Sequence, residues 1–120
     1  ILGNEGLSGG GAAGFELDRA DESLGTPSGA VILASSEGHS DHFVLVPEEI
    51  LTHVSNLAGE PDNKTLVRAD ILWWESPQKG GGTLFATGSI TFCGSLPCSN
   101  FSNNVSRLLL NVFKHMLARD

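Results

Sequence analysis

The sequence has few basic residues, few cysteines and no long apolar run, and each shortage excludes a class of protein. Seven Lys and Arg stand against 14 Asp and Glu, for a net charge of -7, so the basic face that binds nucleic-acid phosphates is missing. No apolar stretch approaches the roughly 18 residues of a membrane-spanning helix. Cys93 and Cys98 form no CxxC motif and are too few for a structural zinc site. We therefore expect a soluble, cytoplasmic protein with two ordinary thiols that binds neither nucleic acid nor membrane.

Domain organisation is indicated by the size of the chain and by its first residues. Its 120 residues, 40% hydrophobic and 18% charged, are typical of one folded domain. The chain begins at Ile1, with neither an initiating Met nor the layout of a signal peptide. Residues 1–28 hold seven glycines and little periodicity, so alone they bury too little apolar surface to offset the entropy of ordering. We expect this segment to pack on absent upstream sequence, with residues 1–120 forming the C-terminal portion of a larger protein.

The first half of the chain predicts mixed elements. Residues 30–34 are a continuous apolar run between turn residues, which is typical of a strand buried on both faces in a parallel sheet. Residues 43–46 are either a second short strand or the end of a loop. A helix is expected to begin at residues 47–51, where a proline precedes two acids.

The second half predicts a hairpin and a terminal helix. Residues 65–75 and 83–90 are β-rich runs joined by a glycine-rich turn, which favours antiparallel neighbours. Apolar residues then recur at the helical period, with Asn103 and Asn104 as candidate caps; they are Val105, Leu108, Leu109, Val112, Phe113, Met116 and Leu117. This order indicates an α/β protein, and we expect its remaining parallel strands upstream.

A polar loop, residues 36–42, directly follows the first predicted strand, where open α/β sheets bind ligands. Glu37 can deprotonate a water there, and His39 can transfer a proton near neutral pH. Metal binding by His39, Asp41 and His42 is an alternative, and a solvated loop without a site is another. Residues 88–96, which include Ser89, are rich in glycine and hydroxyls, as in a loop that lines a pocket or in a tight structural connection. Residues 9–14 fit GxGxxG, but no strand precedes them and no amphipathic helix follows, which argues against a dinucleotide site.

Short motifs follow one another along nearly the whole chain. They are GGGAAG at 9–14, DRAD at 18–21, LGTP at 24–27, ASSEGHSD at 34–41, VPEE at 46–49, ESP at 75–77, FATGSI at 85–90, CGSL at 93–96 and NNVSR at 103–107. In this order they resemble one family, the C-terminal domain of the N,N-dimethylformamidase large subunit. The resemblance implies an amidohydrolase that cleaves the C–N bond of a small formamide with a mononuclear iron held by two tyrosines and a glutamate. This chain has no tyrosine. The iron ligands are therefore expected upstream of residue 1, and none is expected in this chain.

The resemblance also implies a fold, site residues and partners. The fold is the C-terminal part of a three-layer α/β domain similar to class I glutamine amidotransferases (flavodoxin-like), with an antiparallel terminal hairpin and a C-terminal amphipathic helix. By this resemblance, iron would act as a Lewis acid on the amide oxygen or on a bound water. Glu37, with His39 beside it, would take the proton of the water and pass it to the leaving amine. Candidates for lining the substrate pocket are Ser36, Asp41 and Ser89. Expected partners are the upstream part of the large subunit, a small subunit, further copies and a small amide substrate. The alternative is an amidotransferase-like domain without chemistry that serves binding or assembly.

Overall fold

A computed structural model describes residues 2–6, 10–39 and 67–118. Three sequence predictions lie outside these residues: the strand at 43–46, the helix beginning at 47–51, and the Asp41 and His42 end of the polar loop.

The described residues form one antiparallel sheet of three strands in the order β1-β2-β3. The strands are β1 (Val31–Ser36), β2 (Ala69–Glu75) and β3 (Thr83–Ala86). β2 and β3 pair through the glycine-rich turn, with Leu72 opposite Ala86, so the predicted hairpin is confirmed. Both strands are shorter than predicted. β3 ends just before Gly88, whose left-handed φ of 69° turns the chain out of the strand.

β1 differs from the sequence prediction in direction and in burial. It runs antiparallel to β2, with a break in register between Ile32 and Ala34. Val31, Ile32 and Leu33 are 53%, 45% and 47% exposed, so within the described residues the prediction of a parallel strand buried on both faces is wrong. An apolar run indicates that residues tend to be buried, but it does not determine the direction of a strand, which depends on the strand beside it. β1 is also exposed here because it lies at the edge of the described sheet.

The helices are α1 (Phe92–Ser95) and α2 (Asn104–Leu117), with 3-10 turns at Glu22–Leu24 and Cys98–Phe101. α2 confirms the predicted terminal helix, and Asn103 caps it by accepting a 2.9 Å hydrogen bond from the Ser106 N–H. The Asn103 side-chain amide also donates to three carbonyls before the helix, those of Ser95, Leu96 and Cys98. No helix in the described ranges has the length and apolarity needed to cross a membrane.

The hydrophobic core lies between the helices and one face of the sheet. Its buried residues are Ile71 of β2, Phe92 of α1 and Val105 of α2. Phe92 packs edge-on against Phe85 of β3, with ring centroids 6.3 Å apart. The described residues are thus a small α/β unit of two layers. The three-layer amidotransferase-like fold stays a prediction.

The described part of the glycine-rich segment contacts other elements of this chain. The Gly3 N–H donates to the Asn104 side chain at 3.1 Å, and the Ala12 N–H donates to the Gly3 carbonyl at 2.7 Å. Further along, the Asp18 N–H donates to the Gly88 carbonyl at 2.8 Å. The segment is therefore anchored at the start of α2 and after β3. Additional packing on upstream sequence stays a prediction.

Candidate functional site

The described part of the polar loop leaves the carboxyl end of β1 and turns back on it. The Ser36 hydroxyl lies 3.0 Å from His39 Nε2, which is also 3.1 Å from the Ser36 carbonyl oxygen. Gly38 lies between them with a φ of 72°, a backbone conformation that L side chains rarely adopt. The left-handed turn at Gly38 therefore accounts for the return of the imidazole toward the strand end.

Three predicted site residues lie together in this turn. Ser36 and His39 are in contact, and Glu37 lies between them in the chain with a solvent-exposed side chain. An exposed carboxylate is accessible to an incoming water or substrate, and carboxylates and imidazoles are common general acids and bases. This end of β1 therefore combines acid and base groups within one short turn.

A buried carboxylate that the sequence analysis missed lies beside this strand end. The Asp70 side chain is 0% exposed, and its two oxygens accept hydrogen bonds from Arg68 Nε at 3.1 and 2.9 Å. The Ser35 hydroxyl donates to it at 2.6 Å and the Ala20 N–H at 2.7 Å. Burial by itself raises the pKa of Asp70, but the hydrogen bonds from Ser35, Arg68 and Ala20 outweigh it, so the pKa lies below its ordinary value of 3.8. The only sequence signal was a charged pair, Arg68 and Asp70, at the start of an otherwise apolar strand.

An open cavity of about 260 Å³ has Asp70 among its lining residues. Its lining residues are 18–19, Asp70 and Leu72 of β2, and residues 86–90. Arg19 on its wall pairs with Asp21 at 2.8 Å. Hydrogen bonds from Ser23 and Arg19 lower the pKa of Asp21 from 3.8 to about 2. None of the described polar-loop residues lines this cavity.

Ser89 is the predicted site residue that lines the cavity. Its hydroxyl donates to the Phe15 carbonyl at 2.8 Å and accepts from the Gly14 N–H at 3.3 Å. It also lies 3.1 Å from the Thr91 hydroxyl. These contacts hold the glycine-rich segment against the chain that follows β3. A role for Ser89 in binding substrate stays a prediction.

The described side chains do not fit a metal site. Within residues 2–6, 10–39 and 67–118, no three His, Cys, Asp or Glu side chains are grouped so as to hold a metal ion. Both cysteines are free thiols. The described strand end presents a hydroxyl in contact with an imidazole, and an exposed carboxylate between them in the chain.

Comparison with known proteins identifies the family. Residues 2–106 match the family described as N,N-dimethylformamidase beta subunit-like, C-terminal. The chain is 43% identical over 117 residues to the N,N-dimethylformamidase beta subunit of Paracoccus aminophilus, and 41% identical over 117 residues to that of an Alcaligenes species. Each alignment covers 97% of this chain and 15% of the relative, so the chain spans about 15% of the length of these curated relatives. The resemblance carried by the ordered motifs is therefore confirmed, and the chain belongs to the N,N-dimethylformamidase beta subunit-like, C-terminal family.

Proposed function

We propose that this chain supplies part of the active site of an amidohydrolase that cleaves the C–N bond of a small formamide, such as N,N-dimethylformamide. The observation that carries the proposal is the family match over residues 2–106, together with two relatives that are named as dimethylformamidase subunits. The turn at the end of β1 supports it, because Glu37 is an exposed carboxylate only two residues before His39 in the chain.

In the proposed reaction, water adds to the formyl carbon and the C–N bond breaks, which gives formate and an amine. Glu37 accepts a proton from the attacking water and delivers it to the leaving nitrogen. The His39 ring is held against Ser36 by contacts of 3.0 and 3.1 Å, and we propose that it assists Glu37. Ser36, Asp41 and Ser89 are proposed to line the substrate pocket.

The proposal places the iron of this family in other parts of the protein. The described residues form no metal cluster and the sequence contains no tyrosine, so the residues present do not fit the iron site that the resemblance implies. We propose that the ligands belong to upstream sequence of the same subunit, and that the assembly includes a small subunit and further copies in the cytoplasm. The relatives are named as beta subunits, which agrees with such an assembly.

The test is Glu37→Gln in the full-length, assembled protein, with release of amine from a small formamide as the assay. We expect kcat to fall by about 100- to 10,000-fold, the usual contribution of a positioned acid or base. Iron content should be unchanged, because Glu37 transfers protons and is not proposed as a ligand.

Glu22→Gln is the matched control, since Glu22 is also an exposed glutamate but lies in the 3-10 turn of residues 22–24. Its kcat should equal that of the wild type. An unchanged kcat in Glu37→Gln, or equal losses in the two variants, would contradict the assignment of Glu37.

The exposed apolar residues of α2 favour a second candidate, a non-catalytic binding or assembly domain. Leu110, Phe113 and Leu117 are 51%, 53% and 84% exposed, and an apolar helix face of this kind is typical of a surface that packs on another part of a protein. The occupant we propose is the rest of the same subunit, since the curated relatives are far longer than this chain. Replacing Leu110 and Phe113 by Gln should then disrupt assembly in size-exclusion chromatography. If the wild type also hydrolyses no formamide, assembly becomes the preferred function.

A further inference from the structure

Asp70 is a buried charge whose presence the fold alone does not explain. Removing a carboxylate from water costs several kcal/mol, and replacing buried ion pairs by apolar residues is often neutral or stabilising. Asp70 nevertheless lies in a strand that is otherwise apolar up to Glu75, and its side chain is completely buried. What distinguishes it is its set of partners, which come from three separate segments of the chain.

One of these partners, Ser35, lies near the end of β1, just before the polar loop. Ser35 lies directly opposite Asp70 in the sheet, and its hydroxyl donates to Asp70 Oδ1 at 2.6 Å. Ser35 immediately precedes Ser36 and is two residues before Glu37. The hydrogen bond therefore fixes the last part of β1 just before the turn that contains the candidate acid and base.

The end of β1 is weakly held by backbone pairing in the described sheet. β1 pairs with a single strand in the described sheet, and its register is broken between Ile32 and Ala34. Beyond the break, the pairing of β1 with β2 continues for only three residues, 34 to 36. A side-chain hydrogen bond to a fully buried carboxylate strengthens this short stretch, because bonds to charged groups are stronger than those between neutral ones.

The other partners keep the carboxylate from moving. Arg68 Nε lies 3.1 and 2.9 Å from the two oxygens, and the Ala20 N–H donates to Oδ2 at 2.7 Å. None of these bonds involves the Ser35 hydroxyl. The link from Asp70 to β1 can therefore be cut without taking the ion pair apart.

We propose that Asp70 is a positioning residue, which acts through Ser35 to hold the Ser36–His39 turn in the geometry needed for amide hydrolysis. This inference rests on the proposed function and extends it to a residue that does not itself touch the reacting atoms. A loss of alignment of about 1 Å at a reacting group can cost on the order of 100-fold in rate. Small changes in the Ser35 anchor should therefore be visible in kcat.

Ser35→Ala in the full-length, assembled protein is the primary test. We expect kcat for a small formamide to fall about 10- to 100-fold, with KM within about twofold of the wild type, because the turn is misplaced while the substrate pocket persists. Amide hydrogen exchange should accelerate at residues 36–39. Ser35→Thr retains the hydroxyl and should restore kcat and exchange to wild-type values.

Two further variants complete the design. Asp70→Ala removes the acceptor of the Ser35 hydroxyl and should reproduce the kcat loss of Ser35→Ala. Ser35→Ala decides the question if that variant does not fold. Asp21→Asn is the matched control, because it also removes a carboxylate that is paired with an arginine. Asp21 lies 2.8 Å from Arg19, but none of its hydrogen bonds reaches β1. It should leave amide exchange at residues 36–39 unchanged.

The outcomes separate this inference from the proposed function. Wild-type kcat in Ser35→Ala overturns the inference, as does a loss that Thr fails to restore or a loss without faster exchange at residues 36–39. Equal acceleration of exchange throughout β1 and β2 also overturns it, since Asp70 would then support the sheet as a whole. If the wild type cleaves no formamide, the proposed function fails. Exchange then tests only the anchoring of the turn through Ser35: acceleration confined to residues 36–39 upholds that anchoring, and any other pattern overturns it.

Discussion

Gly88 lies where the chain leaves β3, and we predict that replacing it by alanine weakens the sheet strongly. Its φ is 69°, and a Cβ at this position would lie 2.5 Å from the Asp70 carbonyl oxygen and 2.8 Å from the Asp70 nitrogen. These neighbours are backbone atoms of β2, so they cannot move aside as a flexible side chain can. Gly88→Ala therefore displaces either β2 or the segment after β3.

The size of the effect follows from two separate costs. A left-handed backbone costs an L-residue roughly 1–2 kcal/mol, and forcing extra atoms into a packed site costs about 1–3 kcal/mol more. Gly80→Ala isolates the first cost, because Gly80 has a φ of 76° but no atom within 4 Å of the point that an alanine Cβ would occupy. The difference between the two variants should thus be about 1–3 kcal/mol, or roughly 5- to 150-fold in an opening equilibrium.

Amide hydrogen exchange in β2 of the full-length protein measures this difference, because exchange through local opening reports the free energy of that opening. Relative to Gly80→Ala, the Gly88→Ala variant should exchange about 5- to 150-fold faster over Ala69–Glu75. Equal exchange in the two variants would refute the reasoning, since it would mean that the close approach of Gly88 to Asp70 has no energetic consequence.

Two further predictions concern the cap of α2 and the buried carboxylate. Asn103→Ala removes the acceptor for the Ser106 N–H and the donor to three carbonyls. Exchange in the first turn of α2 should therefore be faster than in the wild type, because a lost cap costs roughly 0.5–2 kcal/mol. Wild-type exchange in this variant would show that the cap is not the stabilising contact. Because the folded-state pKa of Asp70 is lowered, its contribution to stability is present above the unfolded value, about 3.9, and is lost as pH falls through the folded value. Protection of β2, corrected for the intrinsic exchange rate at each pH, should decline in that acidic window in the wild type and less in Asp70→Asn; parallel declines would contradict this.

The sequence predicted those parts of the fold whose signal is local. α2 has many apolar residues at the helical period and an asparagine cap, and the β2–β3 hairpin has a glycine-rich turn, so both were found. α1 spans only Phe92–Ser95, which is too short to show a period. The direction of β1 was predicted wrongly because the partner that decides it, Ala69–Glu75, is more than thirty residues away in the chain.

The residues of the candidate site were likewise predictable only where they are close together in the sequence. Ser36, Glu37 and His39 were predicted because they are neighbours in sequence and follow an apolar run, and the structure adds the contact between Ser36 and His39. Asp70 was missed because its hydrogen-bond partners Ser35 and Ala20 are 35 and 50 residues away. No composition or spacing rule connects positions so far apart.

The edge position of β1 has a practical consequence for handling the protein. In the described sheet, only one side of β1 is paired, and Val31, Ile32 and Leu33 are about half exposed. An unpaired, apolar edge strand is a template for pairing with other chains. A preparation of residues 1–120 alone is therefore expected to self-associate at the concentrations used for spectroscopy. Lysine at Ile32 or Leu33 is the substitution to try first if a soluble fragment is wanted, because a charge on an edge strand opposes such pairing.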